Sequence, residues 1–264
     1  MEKGRNYMEK TALITGASSG LGWELANVFA REGYHLMLVA RNEEKLVALK
    51  NQLEAAYGIV AEVLPQDLAQ RDAAQAVFDF TTQKGIAVDV LVNNAGFGDF
   101  GPYVSCDWQK QYDMVQVNVA VLMQLTHCYL PAMAARGEGK ILNVASIAAF
   151  QPGPLMAVYY ASKAFVLSFT EALSVELKGT GVSVTALCPG PTTTGFEQSA
   201  NLGESGLFRH MRNATAKEVA EYGYRALLRG KVVAIPGAAN RLVTLAVKHS
   251  PRRVVRESVY RIQK

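Results

Sequence analysis

The chain has 264 residues, half of them apolar, and 27 basic against 23 acidic side chains give it a formal net charge of +4. This length suffices for one large core, and no change of composition along the chain indicates a second one. Its three cysteines lack a Cys-x-x-Cys pair, which argues against a disulfide framework and a cysteine metal site. We therefore expect a single α/β domain in the reducing cytoplasm, without a bound metal.

The predicted elements alternate strand and helix along the chain. Residues 1–7 carry no apolar segment of a signal peptide and are expected to form a disordered extension. Short apolar runs predict strands at 12–14, 36–40, 60–64, 88–92, 140–144, 182–187 and 232–235. The segments between them predict helices at 21–31, 42–58, 71–83, 107–134 and 155–178 and one that opens with a capping box at Thr215, with Pro131 as a kink or boundary.

Strands that are separated by helices of ten or more residues pair in parallel through right-handed crossovers. The order of elements therefore predicts the α/β class, with a single-domain, doubly wound parallel sheet and helices on both faces. In such sheets ligands bind beyond the carboxyl ends of the strands. Gly16, Asn93, Ser146 and Pro189 each follow a predicted strand, and we expect them to meet at one edge of the sheet.

A glycine-rich turn follows the first predicted strand. Gly16, Gly20 and Gly22 let the backbone turn tightly and approach a pyrophosphate, which the N-terminus of the next helix attracts. The spacing differs from the common Gly-x-Gly-x-x-Gly fingerprint. A structural turn or a site for another phosphate ligand therefore remains an alternative to a dinucleotide site.

Tyr159 and Lys163 are four residues apart and follow Ser146 by thirteen and seventeen residues. On a helix the two side chains share one face, and an ammonium near a phenol lowers its pKa from about 10 toward neutrality. Such a tyrosine exchanges a proton at neutral pH. The alternative is a lysine that extends to water beside a half-buried ring. Tyr160 is a weaker candidate, because its own i+4 residue is Ala164.

Taken together, these motifs resemble the short-chain dehydrogenase/reductase family, in the order and at the spacing of that family, over residues 8–237. The motifs are Thr15 to Gly22, Asn93 to Gly96, Asn118, Ser146, Tyr159-x-x-x-Lys163 and Pro189-Gly190. The resemblance implies a Rossmann-like fold and hydride transfer between a nicotinamide and a carbonyl or alcohol carbon. It also implies the catalytic roles: Tyr159 donates the proton, Lys163 lowers the pKa of Tyr159 and holds the nicotinamide ribose, Ser146 binds the substrate oxygen, and Asn118 positions a water.

The second predicted strand ends at Ala40 and is followed by Arg41. An NAD enzyme normally places an acid at this position, whereas a guanidinium binds a 2′-phosphate, so NADP(H) is favoured. Arg41 paired with Glu43 or Glu44 is the alternative, and the glycine turn carries Ser18 and Ser19 where many NADP-preferring relatives have a basic residue. The expected cofactor contacts are Gly16, Ser18, Ser19, Gly20, Leu21, Gly22, Arg41, Asp67, Leu68, Asn94, Ala95, Gly96, Tyr159, Lys163, Pro189, Gly190 and Thr194.

The resemblance implies a substrate lid at about 191–212 and self-association into a homodimer or homotetramer through the helices at 107–134 and 155–178. We expect Phe97, Phe100, Phe150 and Met156 to line an apolar cavity, which suits a small-molecule carbonyl or alcohol substrate of hydrophobic character. No nucleic-acid partner is expected. The alternative function is an NADP-binding sensor or scaffold without turnover, since a fold does not determine function.

The C-terminal tail, residues 238–264, is basic: residues 231–264 hold eight Lys/Arg and one Glu. Ser250-Pro251 can open a helix whose apolar stripe is Val255, Val259 and Ile262. So short a helix needs a covered apolar face. We expect the tail to pack on the same or a neighbouring subunit, with attachment to an anionic membrane surface as the alternative.

Overall fold

A computed structural model describes residues 10–193 and 214–264. Its central sheet has seven parallel strands in the order β3-β2-β1-β4-β5-β6-β9. Two further strands, β7 and β8, form a separate short parallel pair. The strands are β1 (Thr11–Thr15), β2 (His35–Ala40), β3 (Ala61–Pro65), β4 (Val88–Asn93), β5 (Gly139–Val144), β6 (Val182–Leu187), β7 (Thr192–Thr193), β8 (Ala214–Thr215) and β9 (Val233–Ala234).

Helices cover both faces of the sheet, as the order of elements predicts. They are α1 (Gly20–Arg31), α2 (Glu43–Tyr57), α3 (Ala73–Gln83), α4 (Trp108–Val115), α5 (Leu122–Arg136), α6 (Ala157–Glu176), α7 (Ala216–Leu228), α8 (Ala238–His249) and α9 (Arg252–Gln263). Successive side chains of β1 point to opposite faces, so Ile14 packs under α1, α2 and α7 while Leu13 packs under α3 and α5. The doubly wound parallel sheet is confirmed.

The sheet reverses its winding at β1, which pairs with β2 on one side and with β4 on the other. This switch point is where open α/β sheets bind their ligands. The ends of β1, β4, β5 and β6 lie side by side, because Asn93 is in register with Asn143 and Val144 with Leu187. The residues that follow these strands are therefore brought to one edge.

The helix predicted at 107–134 is interrupted at a different place than expected. Residues Gln116–Val121 form a π-helical turn between α4 and α5, whereas α5 continues through Pro131 to Arg136. A helix boundary at Pro131 was therefore a wrong prediction. The continuous segment Trp108–Arg136 has the length and apolar composition of a membrane span, but its side chains Leu125, Tyr129 and Met133 are buried against the sheet.

The C-terminal tail forms two helices, of which α8 is absent from the sequence-based prediction. Helix α9 packs on its own chain, where Val255 and Val259 are buried with Ala148, Met156 and Tyr160. The predicted stripe is only partly correct, because Ile262 is 52 % exposed and Gln263 is fully buried in its place. Gln263 contacts helix α6, where its side chain donates to the hydroxyl of Tyr160 at 2.7 Å.

Three predictions fall outside the described residues. They concern the extension at residues 1–7, the cofactor contact of Thr194 and nearly all of the lid at about 191–212.

Candidate active site

A cavity of about 1090 Å³ runs along the carboxyl edge of the sheet from the glycine turn to helices α8 and α9. This volume lies above the range of about 300–1,000 Å³ that is usual for drug-sized ligands. Every residue predicted as catalytic or cofactor-binding in the described part of the chain lines this cavity, except Asn118. We call the part near the glycine turn the cofactor end and the part beneath α8 and α9 the substrate end.

The glycine turn forms a cradle that side chains would fill. A Cβ on Gly22 would lie 2.1 Å from the carbonyl oxygen of Gly16, and Gly16 itself has a φ of +68°. Helix α1 begins at Gly20, and its N-cap residue, Ser19, makes no side-chain hydrogen bond to the helix. The first backbone N–H groups of α1 thus have no partner within the helix or its cap, and the turn fits the pyrophosphate of a dinucleotide.

Thr15 and Asn94 tie the ends of β1 and β4 together. The Thr15 hydroxyl accepts hydrogen bonds from the backbone N–H groups of Asn94 and Ala95, both at 3.0 Å. The Asn94 amide donates in return to the carbonyl oxygen of Thr15 at 2.9 Å. This exchange fixes the backbone from Asn94 to Gly96 along the cavity. A Cβ on Gly96 would lie 3.0 Å from Asn118 Oδ1 and 3.2 Å from Lys163 Nζ.

Two basic side chains line the cofactor end of the cavity where strand β2 ends and helix α2 begins. Arg41 is exposed and lines the cavity, as predicted, and Lys45 in the first turn of α2 lines it beside Arg41. Within residues 10–193 and 214–264, no ion pair joins Arg41 to Glu43 or Glu44. Asp67 and Leu68 line the same end, where the Asp67 carboxylate accepts from the backbone N–H of Ala69 at 3.0 Å.

Ser146 and Tyr159 meet at the junction of the two ends. Ser146 caps a short 3-10 turn, Ile147–Phe150, by accepting from the N–H of Ala148 at 3.1 Å. Its hydroxyl also forms a hydrogen bond with the Tyr159 phenol. Burial raises the pKa of Tyr159, and the hydrogen bond to Ser146 lowers it by less. Both residues line the cavity, where the Ser146 hydroxyl also donates to the carbonyl oxygen of Pro189 at 3.5 Å.

Lys163 lies on the same face of α6 as Tyr159, as the spacing predicts, but its amine is directed to the sheet. Nζ donates to the carbonyl oxygen of Val144 at 2.8 Å and lies 5.8 Å from the centre of the Tyr159 ring. Burial lowers the pKa of Lys163 to about 8. The pKa of Tyr159 is raised rather than lowered, because desolvation of the buried phenol is the largest cause.

Asn118 is fully buried in the π-helical turn and does not line the cavity. Its side chain accepts from the backbone N–H of Phe97 at 3.1 Å and donates to the Phe97 carbonyl at 3.0 Å. It also donates to the Ser162 hydroxyl at 3.0 Å. The Asn118 amide thus connects the loop that follows β4 to helix α6. Short π-helical turns inside α-helices occur frequently at functional sites.

The substrate end is apolar. Phe97 and Met156 line it as predicted, whereas Phe100 and Phe150 pack against the neighbouring core clusters. The remaining wall comes from the tail, which contributes Val243, Ala246, Val247, Ser250, Val254, Val255, Ser258, Val259 and Ile262. Pro189 and Gly190 lie between the two ends, and Gly190 is so close to Asn240 of α8 that a Cβ would lie 2.6 Å from its Oδ1.

Sequence reasoning missed two parts of this site. Lys45 follows Arg41 by four residues, so a search for a second cation near a predicted phosphate site would have found it. The tail gives no comparable local signal, since its approach to the catalytic helix is a contact between residues about a hundred positions apart.

The family model described as short chain dehydrogenase matches residues 10–205. Sulfoacetaldehyde reductase 2 from Chromohalobacter salexigens is 37% identical over 220 residues, which cover 81% of this chain and 86% of the relative. A short-chain dehydrogenase from Sphingobium yanoikuyae, solved with NADPH, superposes with a TM-score of 0.81 at 31% identity over 89% of this chain and 92% of that chain. A short chain dehydrogenase/reductase from Burkholderia phymatum in complex with NAD gives a TM-score of 0.81 at 26% identity over 92% and 94%.

Proposed function

Because the chain belongs to the short-chain dehydrogenase/reductase family, we propose that it reduces the carbonyl group of a hydrophobic ketone or aldehyde with NADPH, or catalyses the reverse oxidation. The family makes it an oxidoreductase of alcohol and carbonyl groups with a nicotinamide cofactor. One observation carries the proposal: Ser146, Tyr159 and Lys163 line one cavity together with a glycine cradle.

The choice of NADP(H) rests on the charge of the cofactor end. A 2′-phosphate is bound by guanidinium and ammonium groups through charge-assisted hydrogen bonds, and Arg41 and Lys45 stand together there. Structural neighbours were solved with NADPH and with NAD, so the preference depends on these two residues. When bound, the cofactor supplies or accepts a hydride at its nicotinamide ring.

The chain's own residues handle the proton and the charge of the reacting oxygen. In reduction the carbonyl oxygen becomes an alkoxide, and the Tyr159 hydroxyl donates a proton to it while Ser146 donates a hydrogen bond. Lys163 is mainly cationic at pH 7, because burial lowers its pKa only to about 8. An ammonium at this position compensates the phenolate that Tyr159 leaves behind.

The substrate end supports a hydrophobic compound. Val255, Val259 and Met156 are buried beside the reacting hydroxyls and line the cavity. The basic residues among the described lining residues are Arg41 and Lys45 at the cofactor end and Lys163 at the junction. An anionic substrate such as sulfoacetaldehyde would therefore find no further cation in the described part of the substrate end.

The alternative, a nucleotide-binding sensor without turnover, is not favoured, because a sensor does not require a hydrogen-bonded serine and tyrosine together with a lysine in the wall of one cavity. We further propose a homo-oligomer located in the cytoplasm. Exposed apolar side chains on the two long helices support self-association, among them Tyr112, Val115, Met123, Phe165 and Val175. Light scattering of the purified chain tests the assembly.

Steady-state kinetics test the function. The purified chain is given NADPH or NADH with 2-decalone, cyclohexanone or dihydroxyacetone, which descend in apolar bulk. We expect oxidation of NADPH with the two cyclic ketones, a higher kcat/KM for NADPH than for NADH, and the lowest kcat/KM for dihydroxyacetone. No oxidation with any carbonyl compound would contradict the proposal, and a preference for dihydroxyacetone would remove its hydrophobic part.

A further inference from the structure

Helix α9 forms a wall of the substrate end from the opposite end of the chain. Val255 and Val259 are 7 % and 8 % exposed and pack on Met156 and Tyr160 in one cluster. Both valines also line the cavity. Part of the wall that a substrate would touch is therefore carried by a helix that belongs to neither the sheet nor its crossovers.

One buried hydrogen bond fastens the last turn of this helix. Gln263 is fully buried, and its Nε2 donates to the hydroxyl oxygen of Tyr160 at 2.7 Å. The Tyr160 ring lies where a Cβ of Gly153 would stand, since that atom would be 2.2 Å from the ring. Gly153 thus leaves room for the ring at the place where its hydroxyl reaches Gln263. The Oε1 atom of Gln263 is buried without a hydrogen-bond partner.

In the docked helix the Nε2 atom of Gln263 donates to Tyr160, while its Oε1 atom has no partner among the described residues. A 12-residue helix is marginal in water on its own, and helix ends open more readily than the core. Docking of α9 therefore depends on its buried contacts, which include Val255, Val259 and this hydrogen bond. Removing one partner leaves the other buried and unpaired, which favours the undocked helix, whereas apolar groups at both positions leave nothing unpaired.

We propose that Tyr160 and Gln263 form a clasp that holds α9 against the catalytic helix, and that Val255 and Val259 on the held helix determine the specificity for bulky apolar carbonyl compounds. Tyr160 is then a positioning residue, although it adjoins the catalytic Tyr159. The specificity part rests on the proposed function, whereas the clasp does not.

Limited trypsin digestion tests the clasp without cofactor or substrate. Four arginines of α9 are cleavage sites: Arg252, Arg253, Arg256 and Arg261. Tyr160→Phe and Gln263→Leu should each raise the rate of cleavage in α9 by about tenfold, the factor expected for one buried hydrogen bond. The double variant should return to within about threefold of the wild type, because it pairs two apolar groups. Tyr57→Phe on exposed Tyr57 controls for the loss of a hydroxyl.

Cleavage of the single variants at the wild-type rate would overturn the clasp. Additive rather than mutually compensating effects in the double variant would overturn it as well, because they would show that the two residues act separately.

Steady-state kinetics with ketones of different bulk test whether α9 determines the substrate specificity. Tyr160→Phe should raise the KM for 2-decalone at least fivefold or so while kcat and the KM for NADPH stay within about twofold. Val259→Ala should change the ratio of kcat/KM for 2-decalone over cyclohexanone by about fivefold or more, because it removes methyl groups from the lining. Val60→Ala, on an exposed valine, is the matched control.

The proposed role of α9 in specificity would be contradicted by an unchanged ratio of kcat/KM for 2-decalone over cyclohexanone in Val259→Ala. A fall in kcat alone in Tyr160→Phe would contradict it as well. If the wild type fails to oxidise NADPH with every carbonyl compound tested, the proposed function is contradicted instead. The digestion result for the clasp then stands independently.

Discussion

The two ends of the cavity are built differently. The cofactor end consists largely of backbone: glycines without a Cβ, free N–H groups at the start of α1 and loops that Thr15 and Asn94 hold together. The substrate end is walled by side chains of α8 and α9, and α9 is held against α6 by apolar contacts and by the hydrogen bond from Gln263 to Tyr160. The comparison shows how one fold keeps a constant cofactor site and can vary its substrate by changing a peripheral helix.

The largest expected effect is at the junction of the two ends. Tyr159→Phe should lower kcat by about 10²–10⁴-fold, the usual contribution of a general acid, and leave the Kd of NADPH within about twofold, since the ring keeps its packing. Fluorescence titration of NADPH and initial rates with cyclohexanone measure the two quantities. Tyr160→Phe is the matched control and should retain kcat. Loss of kcat in the control alone would transfer the role to Tyr160.

The second expected effect concerns Lys163, whose buried charge lowers the free energy of unfolding. Its pKa is about 8 in the fold against an ordinary 10.5, so below pH 8 it is charged in both states and its burial destabilises the fold. Between these values the unfolded chain binds a proton that the folded chain does not, and the free energy of unfolding rises with pH. Lys163→Met should therefore raise this free energy at pH 7 by roughly 3 kcal/mol, and the gain should shrink toward pH 10.

Urea unfolding of wild type and Lys163→Met at pH 7 and pH 9.5 measures this gain, with Lys217→Met at an exposed lysine as the control. A variant that is less stable than the wild type at pH 7 would show that the hydrogen bond to Val144 outweighs the burial of the charge.

A smaller and selective effect is expected at the cofactor end. Arg41→Ala should weaken NADPH binding by about 1.5–3 kcal/mol, the range for hydrogen bonds to a charged group, and leave NADH binding nearly unchanged. Lys45→Ala should act in the same direction. Titration of each variant with both cofactors gives the two affinities. Equal weakening for NADPH and NADH would place Arg41 away from the 2′-phosphate.

The contrast between the two ends also explains what the sequence could predict. The strands, the switch point and the residues at the strand ends follow from local patterns, because glycine spacing and apolar runs determine local backbone geometry. Two details did not follow from such patterns: the π-helical turn and the burial of Gln263 in the tail. The π-helical turn at Gln116–Val121 depends on Asn118 binding the backbone of Phe97, and this partner lies 21 residues earlier.

The tail shows the same limit more strongly. The spacing of Val255 and Val259 predicts an apolar face, and the structure buries both. Gln263 is polar, and helical periodicity alone favours Ile262 as the next buried residue. Its burial depends on a tyrosine hydroxyl 103 residues away, and pairing of this kind becomes visible only once α6 and α9 are side by side.

The most direct test of the account is the transfer of an isotope. Wild-type chain is incubated with NADPH that carries two deuterium atoms at nicotinamide C4 and with cyclohexanone, and the alcohol is analysed by mass spectrometry. The account predicts cyclohexanol with one deuterium on the carbinol carbon, and at least about a hundredfold less of it from Tyr159→Phe in the same time. Oxidation of the cofactor without labelled alcohol, or equal labelled product from Tyr159→Phe, would contradict it.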